Sequence, residues 1–189
     1  MRVKDYKAFT FVEMLVVMGI LIILMVVGIA AGRFAINRAN RVAHQNAADQ
    51  LYQMLQAYYT DNRQFPVTDQ DFQTMLEEDG YLYEYSEGDF NGGGPADYFY
   101  FGQTGTTRQA VLVCVTLGGH DDSLERGIYC TGNGFQSQEV VLTAGEGGAT
   151  AENLSSNIIE PEDDLYDDIL AGNHARWFGN GWTEEEGGE

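Results

Sequence analysis

The chain has 189 residues, enough for one modest domain with appendages, and 29 acidic residues against 10 basic ones give a formal net charge of -19. A field of that sign repels phosphate backbones, which argues against nucleic-acid binding by the chain as a whole and leaves only a local basic patch as a route. The sequence holds no Gly-x-Ser-x-Gly elbow, no phosphate-cradling loop and no catalytic Cys/His constellation, so no catalytic residue and no enzyme activity are expected.

The N-terminal stretch sets the organisation. Met1 to Ala8 carries Arg2, Lys4 and Lys7; Phe9-Thr10-Phe11-Val12-Glu13 follows, and Met14 to Ala31 runs for 18 residues without a charge. That run is long enough to span a bilayer as a helix and too long for a signal-peptide core. Glu13 sits just inside it, where an ionisable group costs a few kcal/mol and marks a functional position. Either Glu13 meets an opposite charge, or it stays protonated or snorkels to the headgroups. The basic residues before the span point to a cytoplasmic N-terminus with the bulk of the chain outside, although Arg33, Arg38 and Arg41 beyond the span weaken that bias.

These residues resemble the N-terminus of type IV prepilins and of the related major pseudopilins of type II secretion. That family has a short basic leader, a small residue, an aromatic that becomes the new N-terminus, Thr-Leu-Ile-Glu-like residues and an apolar helix. Ala8 stands where the family most often has Gly. The resemblance implies a leader over residues 1–8, cleavage by a prepilin peptidase between Ala8 and Phe9, and N-methylation of Phe9. Residues 9–31 would then serve as membrane span and filament core, with Glu13 pairing with the Phe9 amine of a neighbouring subunit and setting the axial stagger. The implied partners are the peptidase, an inner-membrane assembly platform, membrane lipid and like subunits in a homo-oligomeric filament. The implied location is first the inner membrane and then a pilus or pseudopilus on the cell surface or in the periplasm. Loss of the leader would remove Arg2, Lys4, Lys7 and Asp5, leaving the mature chain two charges more negative.

Residues 32–62 continue the helix, since Phe34 to Tyr59 contains no Gly or Pro and Ala35, Ala39, Ala43, Ala47, Leu51, Leu55 and Tyr59 recur every fourth position. The alanine row, with Gly28 and Gly32 at small-xxx-small spacing, reads either as a packing seam for neighbouring helices or as plain helix propensity. The larger residues from Leu51 onward bury the helix against a head. Leu55 to Pro66 resembles the helix-to-loop junction of pilins: Asn62 suits a helix terminus with a left-handed backbone, and Phe65 before Pro66 is pushed out of the helical region. Thr68 to Glu78 is predicted as a short helix, capped by Thr68, with Asp69 and Asp71 in its first turn and Gly80 ending it.

The head, residues 63–145, breaks at Gly92-Gly93-Gly94-Pro95 and then gives strands. Asp97 to Phe101 is aromatic and strand-like. Gln109 to Leu117 alternates Val111, Val113, Val115 and Leu117 on the face toward the helix with Ala110, Leu112, Cys114 and Thr116 on the other. Gly127 to Thr131 and Glu139 to Thr143 add two more strands. The fold class is α+β, one long N-terminal helix on a small antiparallel sheet, which is also the pilin layout. Cys114 and Cys130, 16 positions apart, form a disulfide if the head is exported to an oxidising compartment, or remain two buried thiols. No acidic or His ligand stands near them at zinc-like spacing, so no metal site is expected there.

Residues 146–189 form an acidic, Trp-containing tail, partly ordered, with 12 acidic residues against Arg176 alone. Pro161 to Ala171 is predicted as a short helix opening at Pro161. Trp177, Phe178 and Trp182 either dock on the head or display a contact surface for a partner or glycan. No cofactor is expected. Asp121-Asp122, or Asp163, Asp164, Asp167 and Asp168, could supply carboxylates for calcium, which some relatives bind in a head loop, but no Asp-x-Asp-x-Asp-Gly loop is present and acidic runs are usually solvated surface. His44, His120 and His174 show no partner spacing and read as satisfied or exposed surface histidines. The alternative function, from another class, is a non-polymerising surface protein held by its signal anchor, with an acidic ligand-binding head.

Overall fold

The computed structural model describes residues 10–67, 72–76, 80–86, 90, 95–120, 125–143, 149–172 and 174–177. The leader, Phe9, the proposed cap Thr68, the glycine run 92–94, Asp121-Asp122, Phe178 and Trp182 lie outside them. Two compact units are distinguished, Met1–Ala39 and Asn40–Glu189.

Helix α1 runs from Phe11 to Asn62, and the apolar run makes it helical without any interruption by Pro. In the first unit its most apolar 18-residue window has a mean hydropathy of 3.0 and none of it is buried, so the helix is long and apolar enough to cross a membrane. Every residue from Thr10 to Asn40 is exposed.

In the second unit the same helix turns amphipathic. His44, Ala47, Ala48, Leu51 and Leu55 are buried, spaced by three and four so that they share one face. The helix ends at Asn62, and the left-handed residue falls one position later than expected. Asn62 is still helical and its side-chain amide donates to the Tyr58 carbonyl at 3.1 Å, while the left-handed residue is Arg63, with φ of 59°. An Asn able to cap from within the last turn moves the reversal to the residue behind it. Phe65 is then held on both sides: its amide donates to the Arg108 carbonyl and its own carbonyl accepts from Arg108 Nε, each at 2.9 Å.

The predicted helix over 68–78 is described only as α2, Phe72–Leu76, and a second short helix, α3 (Tyr83–Ser86), follows it. Gly80 closes the turn between them, where a Cβ would lie 2.0 Å from the Thr74 carbonyl oxygen.

The remaining elements build an antiparallel sheet of five strands in the order β4-β3-β2-β1-β5, from β1 (Ala96–Gly102), β2 (Val111–Thr116), β3 (Ile128–Gly132), β4 (Ile158–Ile159) and β5 (His174–Trp177). β1 and β2 are buried at every position because both faces are covered. On one face Tyr98, Tyr100, Val111, Val113 and Val115 pack with Ala47, Leu51, Leu55, Phe65 and Met75. On the other, Phe99, Phe101, Leu112 and Cys114 pack with Leu142, Leu154, Ile159, Tyr166 and Ile169. The valine face therefore meets α1, as the alternation predicts. The opposite face is as fully buried, and nothing in the strand alternation says what covers it.

That cover comes from the stretch read as a tail. Residues 146–189 supply β4 and β5, which close the two sides of the sheet, and α4 (Leu165–Leu170), whose Tyr166 and Ile169 enter the second core. Exposed carboxylates at Asp163, Asp164 and Asp167 mask those apolar positions in the composition. The α4 helix starts four residues later than predicted. Pro161 instead sits in a turn closed by the Glu160 amide donating to Asp163 Oδ2 at 2.9 Å and the Asp163 amide donating to the Glu160 carbonyl at 3.0 Å. The predicted strand over 139–143 is reduced to two isolated bridges, Gln103 with Val140 and Val141 with Thr150.

Candidate functional site

The start of α1 is built from three residue choices. Thr10 precedes the first helical residue, and its hydroxyl accepts the Glu13 amide at 3.3 Å. Glu13 Oε2 in return accepts both the Thr10 amide and the Thr10 hydroxyl, each at 2.8 Å. This reciprocal arrangement is a capping box, which satisfies amides that the first turn cannot pair within the helix. The Thr-x-x-Glu spacing carries the signal and is legible in the sequence, although the readings of Glu13 as a paired, protonated or snorkelling group do not use it. The nearest partner of Glu13 is therefore local. The carboxylate also sits in the first turn, where the helix dipole favours negative charge.

Beyond this cap the helix presents Met14, Leu15, Val16, Val17 and the apolar residues after them at half to two-thirds exposure. Burying such a surface is favourable at about 25 cal/mol per Å², and nothing within the first unit does it. Ala8 and Phe9, the predicted junction, lie outside the described residues, so the geometry begins one residue after it.

In the second unit a disulfide joins Cys114 and Cys130, both fully buried and directly opposed across β2 and β3. The three histidines do not share one environment. His44 is buried on the sheet-facing side of α1, and removal from water pushes its pKa down. His120 Nδ1 lies 2.8 Å from Oδ1 of Asp97, a carboxylate with no exposed surface. The Asp97 amide in turn donates to Thr116 Oγ1 at 3.0 Å, and that hydroxyl donates to the Gly119 carbonyl. His120 is thus a satisfied histidine, partly exposed, whereas His44, buried on the helix, corrects the expectation of a satisfied or exposed surface residue. Asp97 and His120 are 23 positions apart and only the β1–β2 pairing brings them together, so no sequence spacing could show it. Of His174 only the backbone is described, on β5.

The acidic residues around α4 line two open clefts. One, of about 380 Å³, holds Asp163, Asp164 and Asp168; the other, of about 390 Å³, holds Glu125, Glu160, Glu162 and Asp167. Among the described residues no three His, Cys, Asp or Glu side chains converge as a metal site. Trp177 pairs through its backbone with Ala96, and the side chains of the predicted aromatic cluster lie outside the described residues.

Comparison with known proteins adds one match at the same place. Residues 3–29 match the family model described as the prokaryotic N-terminal methylation motif. No curated protein and no solved structure matches the chain. The matched segment contains the Ala8–Phe9 junction, the Thr10–Glu13 cap and most of the exposed apolar run, so the chain carries the prepilin-type cleavage and methylation signal, which supports a type IV pilin-like family.

Proposed function

We propose that the chain is a structural subunit of a type IV pilus or pseudopilus. A prepilin peptidase removes residues 1–8 by cutting between Ala8 and Phe9, and the new Phe9 amine is methylated. Residues 9–31 hold the subunit in the inner membrane, N-terminus in the cytoplasm, until an assembly platform draws it into a filament. The same apolar helix then buries against copies of itself. The observation that carries this reading is that the first part of α1, which lies in the segment matched to the methylation motif, has its apolar side chains exposed, while the one carboxylate of that part, Glu13, is already ordered at the first turn.

Glu13 has two duties in this mechanism. A carboxylate offers about four acceptor sites, and the Thr10 amide and hydroxyl use two of them on a single oxygen. The second oxygen stays available to a cation. Cleavage supplies one: an α-amino group ordinarily titrates near 8 and is charged at neutral pH. In the low-dielectric core of a filament, the Phe9 amine of a neighbouring copy is the natural partner for Glu13, and removing one member of such a buried pair costs about 3 to 5 kcal/mol. Thr10 orients the carboxylate before that partner arrives.

Glu13→Ala tests this. Membrane insertion and cleavage should persist, and the subunit should disappear from sheared filaments. Incorporation of the variant at the parent level would refute the pairing.

A further inference from the structure

We propose that Arg33, Arg38 and Arg41 form a basic collar on α1 that docks against carboxylates on the head of a second copy of this chain. The proposal rests on the filament reading above and names the polar contact that accompanies burial of the apolar helix.

The collar stands out by charge. From Met14 to Ala48 the helix has no Asp or Glu, so none of the three arginines has an acidic neighbour three or four residues away. Arg33 and Arg38 are exposed, Arg41 is half-buried, and among the described residues none of the three has an ion-pair partner. At 3.6 residues per turn they lie within about 140° of one another around the helix, over about 12 Å of its length. Three guanidinium groups so placed make one cationic surface.

The rest of the chain supplies the complement. All acidic residues except Asp5 and Glu13 lie beyond Arg41, where the only basic residues are Arg63, Arg108, Arg126 and Arg176. Arg108 Nε is occupied by the Phe65 carbonyl. Exposed carboxylates at Glu160, Glu162, Asp163, Asp164 and Asp167 make no ion pair with a described residue. Copies with this charge repel one another when they pack side by side, and self-repulsion opposes assembly. The collar is the one group of closely spaced basic residues beyond the leader, and charge complementarity makes the carboxylate-rich head of another copy its partner. Guanidinium suits this role because its fork donates two parallel N–H bonds to the two oxygens of one carboxylate.

The test uses the full chain expressed in cells that assemble filaments from the unaltered protein; absence of filaments from the parent would count against the filament reading itself. R33E/R38E/R41E should be cleaved normally, as judged by the mass of the membrane-extracted protein, and its yield in sheared filaments should fall about tenfold or more. Parent filaments should loosen as salt rises through the range where charges a Debye length apart, about 8 to 10 Å, are screened. In R38K, which keeps the charge, carbodiimide treatment of sheared filaments should couple the introduced amine to a carboxylate beyond residue 41 of another copy, located by peptide mass mapping. Filament yield and salt response of the triple variant equal to the parent would overturn the proposal. Loss of binding to anionic phospholipid vesicles, with filament yield unchanged, would overturn it in favour of a lipid contact.

Discussion

At the scale of single residues, position in the fold decides what each ionisable group does. Glu13 is held by Thr10 at 2.8 Å on a fully exposed helix start, whereas Asp97 has no exposed surface and meets His120 at 2.8 Å. His44 is the clearest case of burial acting on a base. Its pKa is lowered in the folded chain from the ordinary value of 6.5, so below that pH the unfolded chain binds more protons. The stability tied to His44 is complete above about 6.5 and is lost as pH falls through that value towards the lower folded pKa. The substitution H44L should remove this component. Thermal melts at about pH 7.5 and about pH 5.5 should show a smaller acid-induced loss in H44L than in the parent, the carboxylates being common to both. An unchanged difference between the two pH values would show that His44 does not titrate with folding.

At the scale of elements, α1 is two helices in one. Its first part has no buried residue, and its second part fills the face of the sheet built by Tyr98, Tyr100 and the valines of β2. Leu51 and Leu55 are fully buried there. Leu51→Ala should lower the stability of the head by about 2 to 5 kcal/mol, read as a lower denaturation midpoint of the detergent-solubilised chain. A shift below about 0.5 kcal/mol would mean that the helix does not complete this core.

The sequence made α1, β1 and β2 legible for a physical reason: an uncharged run, a four-residue row and a two-residue alternation each specify a local period. Beyond residue 145 the same logic reached only α4, within the predicted 161–171. β4 has two residues and β5 has four, too short to show a period, and they are ordered by pairing with β3 and β1 across long stretches of chain. Leu154, Ile159, Tyr166 and Ile169 stand among carboxylates that dominate the composition while pointing to solvent. The Thr10–Glu13 cap was legible as a spacing; the Asp97–His120 contact was not, because only the sheet creates it.

At the scale of the whole molecule, apolar and charged residues are segregated along the chain. One end is an exposed apolar helix carrying the prepilin-type signal, followed by three arginines; the other is a head with two cores, a disulfide across β2 and β3, and most of the negative charge. Each end is incomplete alone, since the helix needs lipid or other helices to cover it and the carboxylates need cations. In the filament proposed above, packing of many copies would meet both needs at once, once cleavage has freed the Phe9 amine. The most direct measurement is therefore the mass and N-terminal sequence of the protein extracted from membranes. The expected result is a chain beginning at Phe9 with a methylated amine. An intact Met1, or a cut at any other bond, would contradict it.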